Sequence, residues 1–378
     1  MKSHLNLCNT LSIPRKYTEK SYDNPKSINL KRGRANNLGM SPKKIHEVER
    51  LSTLIGNEFD HHFNLIDVGS GQGYLSRTLS RHPFNFNVLA IDSNDNNVKE
   101  SITYDQKRDK ASCTIGRLDH VTAHLDKESL NYNNKKWLND IKSDERSTLI
   151  GLHPCGDLSV DVIKAFVEGI NEYDGLILVA CCHNRVSASN FPLSNKLQSL
   201  IQKSIDQNKW DWNYDSFSIS VHSLSHWTTV PENYWQKARF PMLKLLYRSR
   251  LAQCLRNVGR PHFSENRLGK LRDGVYTSWK SYLEAASQRL KLNFDDLDDH
   301  NENEQYWKTV DFRMKVFWTS KARIGDIYET IILIDRYLHL IEQTKSEPHT
   351  DVSLLPIFDI EMGSSRNMIL TVDRKSKN

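Results

Sequence analysis

No apolar run in this chain of 378 residues approaches the ~18 residues that a membrane-spanning helix needs. The longest, Gly175 to Cys182, is the length of a strand. The apolar core of a secretory signal is missing too. The first 18 residues hold no acid and carry Lys2, Arg15 and Lys16, which leaves a mitochondrial leader open. Cysteine is sparse. Its six positions, 8, 113, 155, 181, 182 and 254, do not form a secreted disulfide framework, and adjacent Cys181 and Cys182 would strain a mutual bond. These absences exclude a helical membrane protein and a disulfide scaffold, and the expected location is the cytoplasm, the nucleus or both. No internal repeat is visible.

What the chain does have is length enough for one large or two ordinary domains, and an uneven positive charge. The formal net charge is +6. Residues 1–50 hold eleven Lys or Arg against four acids, and residues 236–272 hold ten against one, Glu265. Phe240, Tyr247 and Phe263 are interleaved with the second group, whereas 295–304 is acidic and reads as a solvated loop. Two basic segments of this kind suit the phosphates of an RNA. Solvated helix faces are the blander reading and carry comparable weight.

The most informative segment is 64–80. Leu65-Ile66 leads to Asp67, then Gly69-Ser70-Gly71-Gln72-Gly73, then a helical pattern carried by Leu75 and Leu79. This is a buried strand, a glycine turn and a helix, the arrangement that cradles a nucleotide-like cofactor. A dinucleotide site receives a pyrophosphate here and has no acid leading in. Asp67 would repel that group and attract the ammonium and sulfonium of S-adenosylmethionine. The expected cofactor is therefore S-adenosylmethionine, held by Asp67, Gly69, Ser70, Gly71 and Gly73. A second strand, Val88 to Ile91, ends at Asp92, placed to accept the ribose hydroxyls. A third, over 118–125, would bring Asp126 to the cofactor. Glycine turns also occur in ordinary loops, and an aspartate after a strand is often only a helix cap.

The remaining pattern predicts a helix opening at Ser41-Pro42, strands over 148–152 and 176–180, a helix over 158–170, a long amphipathic helix over 325–342, and a closing antiparallel hairpin from 353–358 and 368–372. Five parallel strands plus that hairpin make a doubly wound α/β sheet of seven strands, Rossmann-like, the class I methyltransferase architecture. The expected organisation is a basic arm at 1–39, a cofactor-binding core at 40–186, an insertion at 187–320 and a C-terminal part at 321–378 that completes the sheet.

Ligands bind outside the carboxyl ends of such strands, so the tips after strands four and five are the acceptor side. They read His153-Pro154-Cys155-Gly156-Asp157 and Cys181-Cys182-His183-Asn184-Arg185. Zinc is one reading of two histidines and three cysteines, but no C-x-x-C or H-x-x-x-H spacing is present and no metal is expected. A cysteine nucleophile is a second, and a sulfonium donor makes it unnecessary. The preferred reading is a pocket lined by Cys155 and Cys182, in which His153 and Asp157 orient an acceptor and His183 takes its proton.

The motifs also carry a resemblance. Met40 to Lys44 with His46-Glu47-Val48, DVGSGQGYLS (67–76), GLHPCGDLS (151–159), ACCHN (180–184), LLYRSRL (245–251), ETIILIDRYLHLIEQ (329–343), LLPIFD (354–359) and SSRNMIL (364–370) resemble the methyltransferase-like protein 25 family. Relatives in that family are also called ribosomal RNA adenine dimethylase domain-containing proteins. The resemblance implies an S-adenosylmethionine-dependent methyltransferase. The two cysteine tips also resemble the family that 2′-O-methylates tRNA near its acceptor stem, which points to tRNA or ribosomal RNA as the acceptor. This chain departs from such relatives in carrying Cys182-His183 where Cys-Cys-Tyr is common. The Asn-Pro-Pro-Tyr of many base N-methyltransferases is absent after strand four, which argues against methylation of the adenine amino group. A protein acceptor and a non-catalytic scaffold that keeps the cofactor pocket are the alternatives.

Overall fold

The computed structural model describes residues 10–16, 39–59, 63–108, 116–206, 212–223, 234–260, 268–269, 271–294 and 304–374. Most of the basic arm, Cys8, Cys113, Phe263, Glu265 and the acidic stretch 295–303 lie outside the described residues. Two compact units emerge, one from Met1–His226 with Arg323–Asn378, the other from Trp227–Ala322. Among the described residues no helix is long and apolar enough to cross a membrane.

The first unit is built on a seven-stranded sheet. In chain order its strands are β1 (Asn64–Val68), β2 (Asn87–Asp92), β3 (Leu118–Thr122), β4 (Ser147–Cys155), β5 (Tyr173–Cys181), β6 (Thr350–Pro356) and β7 (Met368–Arg374), arranged 3-2-1-4-5-7-6. The first five pair in parallel, whereas β7 runs antiparallel to both β5 and β6. That inserted antiparallel strand separates this sheet from a dinucleotide-binding one, where a sixth parallel strand follows β5. It is the class I methyltransferase order.

Side chains alternate across the sheet because successive residues of a strand point to opposite faces. Ile66, Leu149, Leu176, Leu178, Leu370 and Val372 enter one core layer, with Ile163 and Phe166 of the helix Asp157–Glu168 and Leu340 of the helix Glu304–Thr344. Leu65, Ile150, Ile177, Val179 and Ile369 enter the other, against Val48, Leu51 and Ile55 of the helix Pro42–Glu58. That last helix begins as its sequence dictates, with the Ser41 hydroxyl accepting from the Lys44 amide and proline in the first turn.

Three elements differ from the sequence expectation. β3 ends at Thr122, short of Asp126. β4 runs to Cys155 across a register shift between Leu152 and Cys155, so it includes Pro154. The late helix is 41 residues long, from Glu304 rather than 325. Its part from Arg323 belongs to the first unit. The described part of the arm, 10–16, is tied to the same unit. The Ile13 amide donates to Thr330 Oγ1 (3.1 Å), the Asn367 side-chain amide to the Arg15 carbonyl (2.7 Å), and Arg15 pairs with buried Glu329 (2.9 Å).

The second unit has its own core, in which Leu251 and Leu255 of the helix Tyr234–Asn257 meet Tyr276, Trp279, Tyr282 and Leu283. The Arg250 guanidinium lies 4.3 Å from the Trp279 ring centroid and 5.2 Å from that of Trp307. Part of the basic segment therefore builds this core, while Arg248, Arg256, Arg260 and Arg272 are exposed.

Candidate active site

The turn after β1 is shaped by three glycines in left-handed conformation, Gly69 (φ 71°), Gly71 (φ 57°) and Gly73 (φ 68°), a region that costs glycine little. The amides of Gly69 and Ser70 donate to the Ile91 carbonyl (2.9 and 3.1 Å) and that of Gly73 to the Ser70 carbonyl (3.0 Å). Glycine serves two ends here. A Cβ on Gly73 would lie 2.1 Å from Ser101 Oγ, whereas one on Gly71 would meet nothing within 4 Å among the described residues, so toward these the crown of the loop faces open space. Asp92 braces that crown. Its Oδ2 accepts from the Gly71 amide (2.8 Å), and its Oδ1 from the Asn94 amide (2.8 Å) and the Asn97 side chain (3.3 Å). A carboxylate offers about four lone-pair positions, so Asp92 can still accept from a ribose hydroxyl while holding the loop.

Asp67 is buried below the turn and accepts from the Ser76 hydroxyl. Burial pushes its carboxyl up to about 6, against the Ser76 hydrogen bond and the charge of Lys44, which favour ionisation. A cationic ligand beside it would draw the proton off. Binding of S-adenosylmethionine should therefore release a proton below about pH 6, with affinity rising with pH by up to about tenfold per unit there. Calorimetry in two buffers of different ionisation enthalpy reads that proton directly. Equal heats in both would remove Asp67 from the cation's surroundings. Asp126 is placed differently from what its position in sequence suggests. Its carboxylate caps the helix Lys127–Ile141 by accepting from the Ser129 amide (2.8 Å).

On the acceptor side the tips of β4 and β5 do meet. His153 sits in the register shift with φ 68°, and its Nε2 lies 3.0 Å from Glu47 Oε1. The same oxygen accepts from Ser364 Oγ (3.0 Å) and lies 3.4 Å from Lys43 Nζ. Burial opposes ionisation of Glu47, but neighbouring His153, the charge of Lys43 and the Ser364 hydroxyl prevail and hold it at about 2. Asp157 is occupied as well. It accepts from the Ser187 amide (2.8 Å), the Ser187 hydroxyl and the Asn190 side chain (2.8 Å), pinning the segment after β5. Gly156 allows that approach, since a Cβ there would stand 2.6 Å from the Cβ of Arg185.

His183 is fully buried, 3.7 Å from Glu329, and burial lowers it to about 4, so it is neutral at pH 7. Of the three candidate acid–base residues, His153 is partly exposed and stands beside a carboxylate, with both of its ring nitrogens buried. Sequence reasoning missed Glu47 and Ser364 as its supports, although both fall in stretches that carried the family resemblance.

The thiols form a compact group. Cys155 Sγ lies 3.3 Å from Cys181 Sγ and 3.4 Å from Cys182 Sγ, and the latter two are 3.6 Å apart. None is in a disulfide. Hydrogen bonding from Cys181 draws exposed Cys155 down to about 5, against burial, with help from Cys182 and the charges of Arg185 and His153. Cys181 and Cys182 are pushed up, so the cluster's first proton leaves Cys155. The cofactor turn adjoins this side, since a Cβ on Gly69 would lie 3.4 Å from Leu158, just past Cys155 in the chain.

Residues 43–189 match a family model described as a methyltransferase domain. The human protein named probable methyltransferase-like protein 25 is 25% identical over 219 residues, a match covering 54% of this chain and 34% of that protein. The chain thus spans about a third of the length of that relative. Among solved structures, the plantazolicin methyltransferase BpumL in complex with SAH aligns at TM-score 0.33 and 7% identity over 99% of each chain. The bifunctional kinase-methyltransferase WbdD aligns at TM-score 0.23 and 15% identity over 36% of this chain and 27% of its own. With the sheet order and the acid-led glycine turn in place, residues 43–189 are a methyltransferase domain whose cofactor is S-adenosylmethionine, in a chain similar to methyltransferase-like protein 25.

Proposed function

We propose that this chain transfers the methyl group of S-adenosylmethionine to an RNA acceptor. The observation that supports RNA is the basic excess of residues 236–272, of which Arg248, Arg256, Arg260 and Arg272 stand exposed on the second unit. Cations in that density neutralise phosphates and release counterions. The glycine turn holds the methionine end of the donor and Asp92 its ribose. An acceptor atom at the tips of β4 and β5 attacks the methyl group in line, with much of the rate coming from positioning. If that atom is a hydroxyl oxygen its proton goes to His153, which Glu47 orients, and the sulfonium leaves as a neutral thioether. An acceptor nitrogen with a free lone pair needs no base.

Incubating cell extract with methyl-labelled donor and the chain, followed by nuclease or protease digestion, identifies the acceptor class. Nuclease-sensitive label is the expected result, and label released only by protease would replace RNA with a protein. His153→Ala should lower kcat by about 10²–10⁴ for a hydroxyl acceptor while leaving donor affinity unchanged. An unaltered kcat would assign the acceptor to the base-free class. Replacing Arg256 and Arg272 together by alanine should flatten the slope of log K against log salt for RNA, by about 0.7 for each phosphate no longer neutralised. An unchanged slope in filter binding would take the second unit out of RNA recognition.

A further inference from the structure

The three thiols at the ends of β4 and β5 are collected by backbone features that packing alone does not require. Cys155 and Cys181 are register partners across the two strands, at the far side of the β4 irregularity. Neighbouring residues of an extended strand direct their side chains to opposite faces. Cys182 escapes that rule by adopting φ 50°, a left-handed conformation that non-glycine residues adopt only at a cost. The result is three sulfurs in mutual contact, 3.3–3.6 Å apart. Cys254 shows the ordinary alternative, a buried thiol packed as a small apolar group in the second unit's core.

A second observation concerns charge. Arg336 is buried beside this cluster, and its Nη1 and Nη2 have no hydrogen-bond partner among the described residues. Its charge interacts favourably with Asp335, Glu329 and Asp157, and Cys181 lies within its electrostatic range. Arg185 adds a second positive charge beside Cys155. An ordinary apolar thiol pocket does not call for two guanidinium groups. Guanidinium groups near the sulfurs would favour their thiolate forms once an ion is bound.

We propose that Cys155, Cys181 and Cys182 bind a zinc ion through three thiolates, with the fourth position on the open side of Cys155. Zinc is bound at about 2.3 Å from sulfur with tetrahedral geometry, which sets neighbouring sulfurs about 3.8 Å apart. The observed triangle needs to open by only a few tenths of an ångström to form one face of that tetrahedron. Three thiolates and a divalent ion leave one net negative charge, which Arg185 and Arg336 offset. The protons still on the thiols leave to solvent as the ion enters. Three protein ligands with a free fourth position match a catalytic zinc site rather than a closed structural one. That position would hold a water or an acceptor atom.

The test uses the full chain, purified under reductant and dialysed against buffer with trace zinc. Elemental analysis should give about one zinc per chain, the stoichiometry of a single three-thiolate site. Cys155→Ser and Cys182→Ser should lose most of it, while Cys254→Ser retains it. Cobalt substitution should give sulfur-to-metal charge transfer in the near ultraviolet and intense tetrahedral bands in the red, both absent in Cys155→Ser. Cys155 is exposed, so that variant should keep its fold and its affinity for S-adenosylhomocysteine, a readout independent of the acceptor's identity. Wild-type chain that takes up no zinc on titration, zinc that persists in both serine variants, or a Cys155–Cys181 disulfide in place of metal would each overturn the proposal.

Discussion

Asp92→Ala should abolish measurable binding of S-adenosylmethionine in a chain that remains folded. The carboxylate accepts from the Gly71 amide, the Asn94 amide and the Asn97 side chain, so it shapes the turn in which the donor is proposed to lie. Each hydrogen bond to a charged group is worth about 1.5–3 kcal/mol. Losing one to the Gly71 amide and one to a ribose hydroxyl removes roughly 3–6 kcal/mol, a weakening of about 10²–10⁴-fold. Gly71→Arg should act as strongly by another route. Among the described residues nothing beyond its chain neighbours lies within 4 Å of a Cβ at Gly71, so the new side chain would occupy the space proposed for the donor instead of the core. Asp92→Asn keeps an acceptor for Gly71 without the charge and should fall between. Calorimetry with S-adenosylhomocysteine reads all three, and wild-type affinity in folded Asp92→Ala would refute the assignment.

The second large effect is on stability. Glu329 is buried and ion-paired with Arg15 and Arg366, with His183 3.7 Å away. Glu329→Ala leaves those guanidinium groups buried without their counter-charge, which costs about 3–5 kcal/mol. Burial opposes ionisation of Glu329, but the charges of Arg366 and Arg15, with His183 nearby, hold it at about 2. Because its folded pKa lies below the ordinary 4.5, its contribution is present above about pH 4.5 and fades as pH falls toward 2. Glu47, also held at about 2, acts in the same direction. Urea unfolding of Glu329→Ala at pH 7 should show the loss, and a change below about 1 kcal/mol would mean that water already screens the pair.

The strand–turn–helix–strand fold of the cofactor-binding part was open to reading because its determinants are local. Asp67, the three glycines and Asp92 lie within one strand–turn–helix–strand unit, where residue type and spacing dictate backbone shape. The hairpin was equally plain, since alternating apolar residues and the turn at Glu361–Ser365 sit side by side in the chain. The acceptor side resisted because its partners are distant in sequence. Glu47 meets Ser364 across 317 positions, and Cys155 meets Cys181 and Cys182 across 26 and 27. No ligand-spacing rule sees such a cluster, and neither His153 nor Cys182 advertises a left-handed backbone by residue type. Asp126 and Asp157 show the converse error source. An acid at a strand tip is also a natural cap or loop anchor, and in both cases the hydrogen bonds seen are of that kind.

The central claim is that a buried carboxylate leading into the glycine turn selects a cationic methyl donor over a pyrophosphate cofactor. Competition at equilibrium tests it most directly, with the purified chain offered S-adenosylmethionine and NAD side by side in one titration. Saturable uptake of the sulfonium compound, with no displacement by the dinucleotide, is the expected result. A folded chain that bound NAD and left the methyl donor in solution would contradict it.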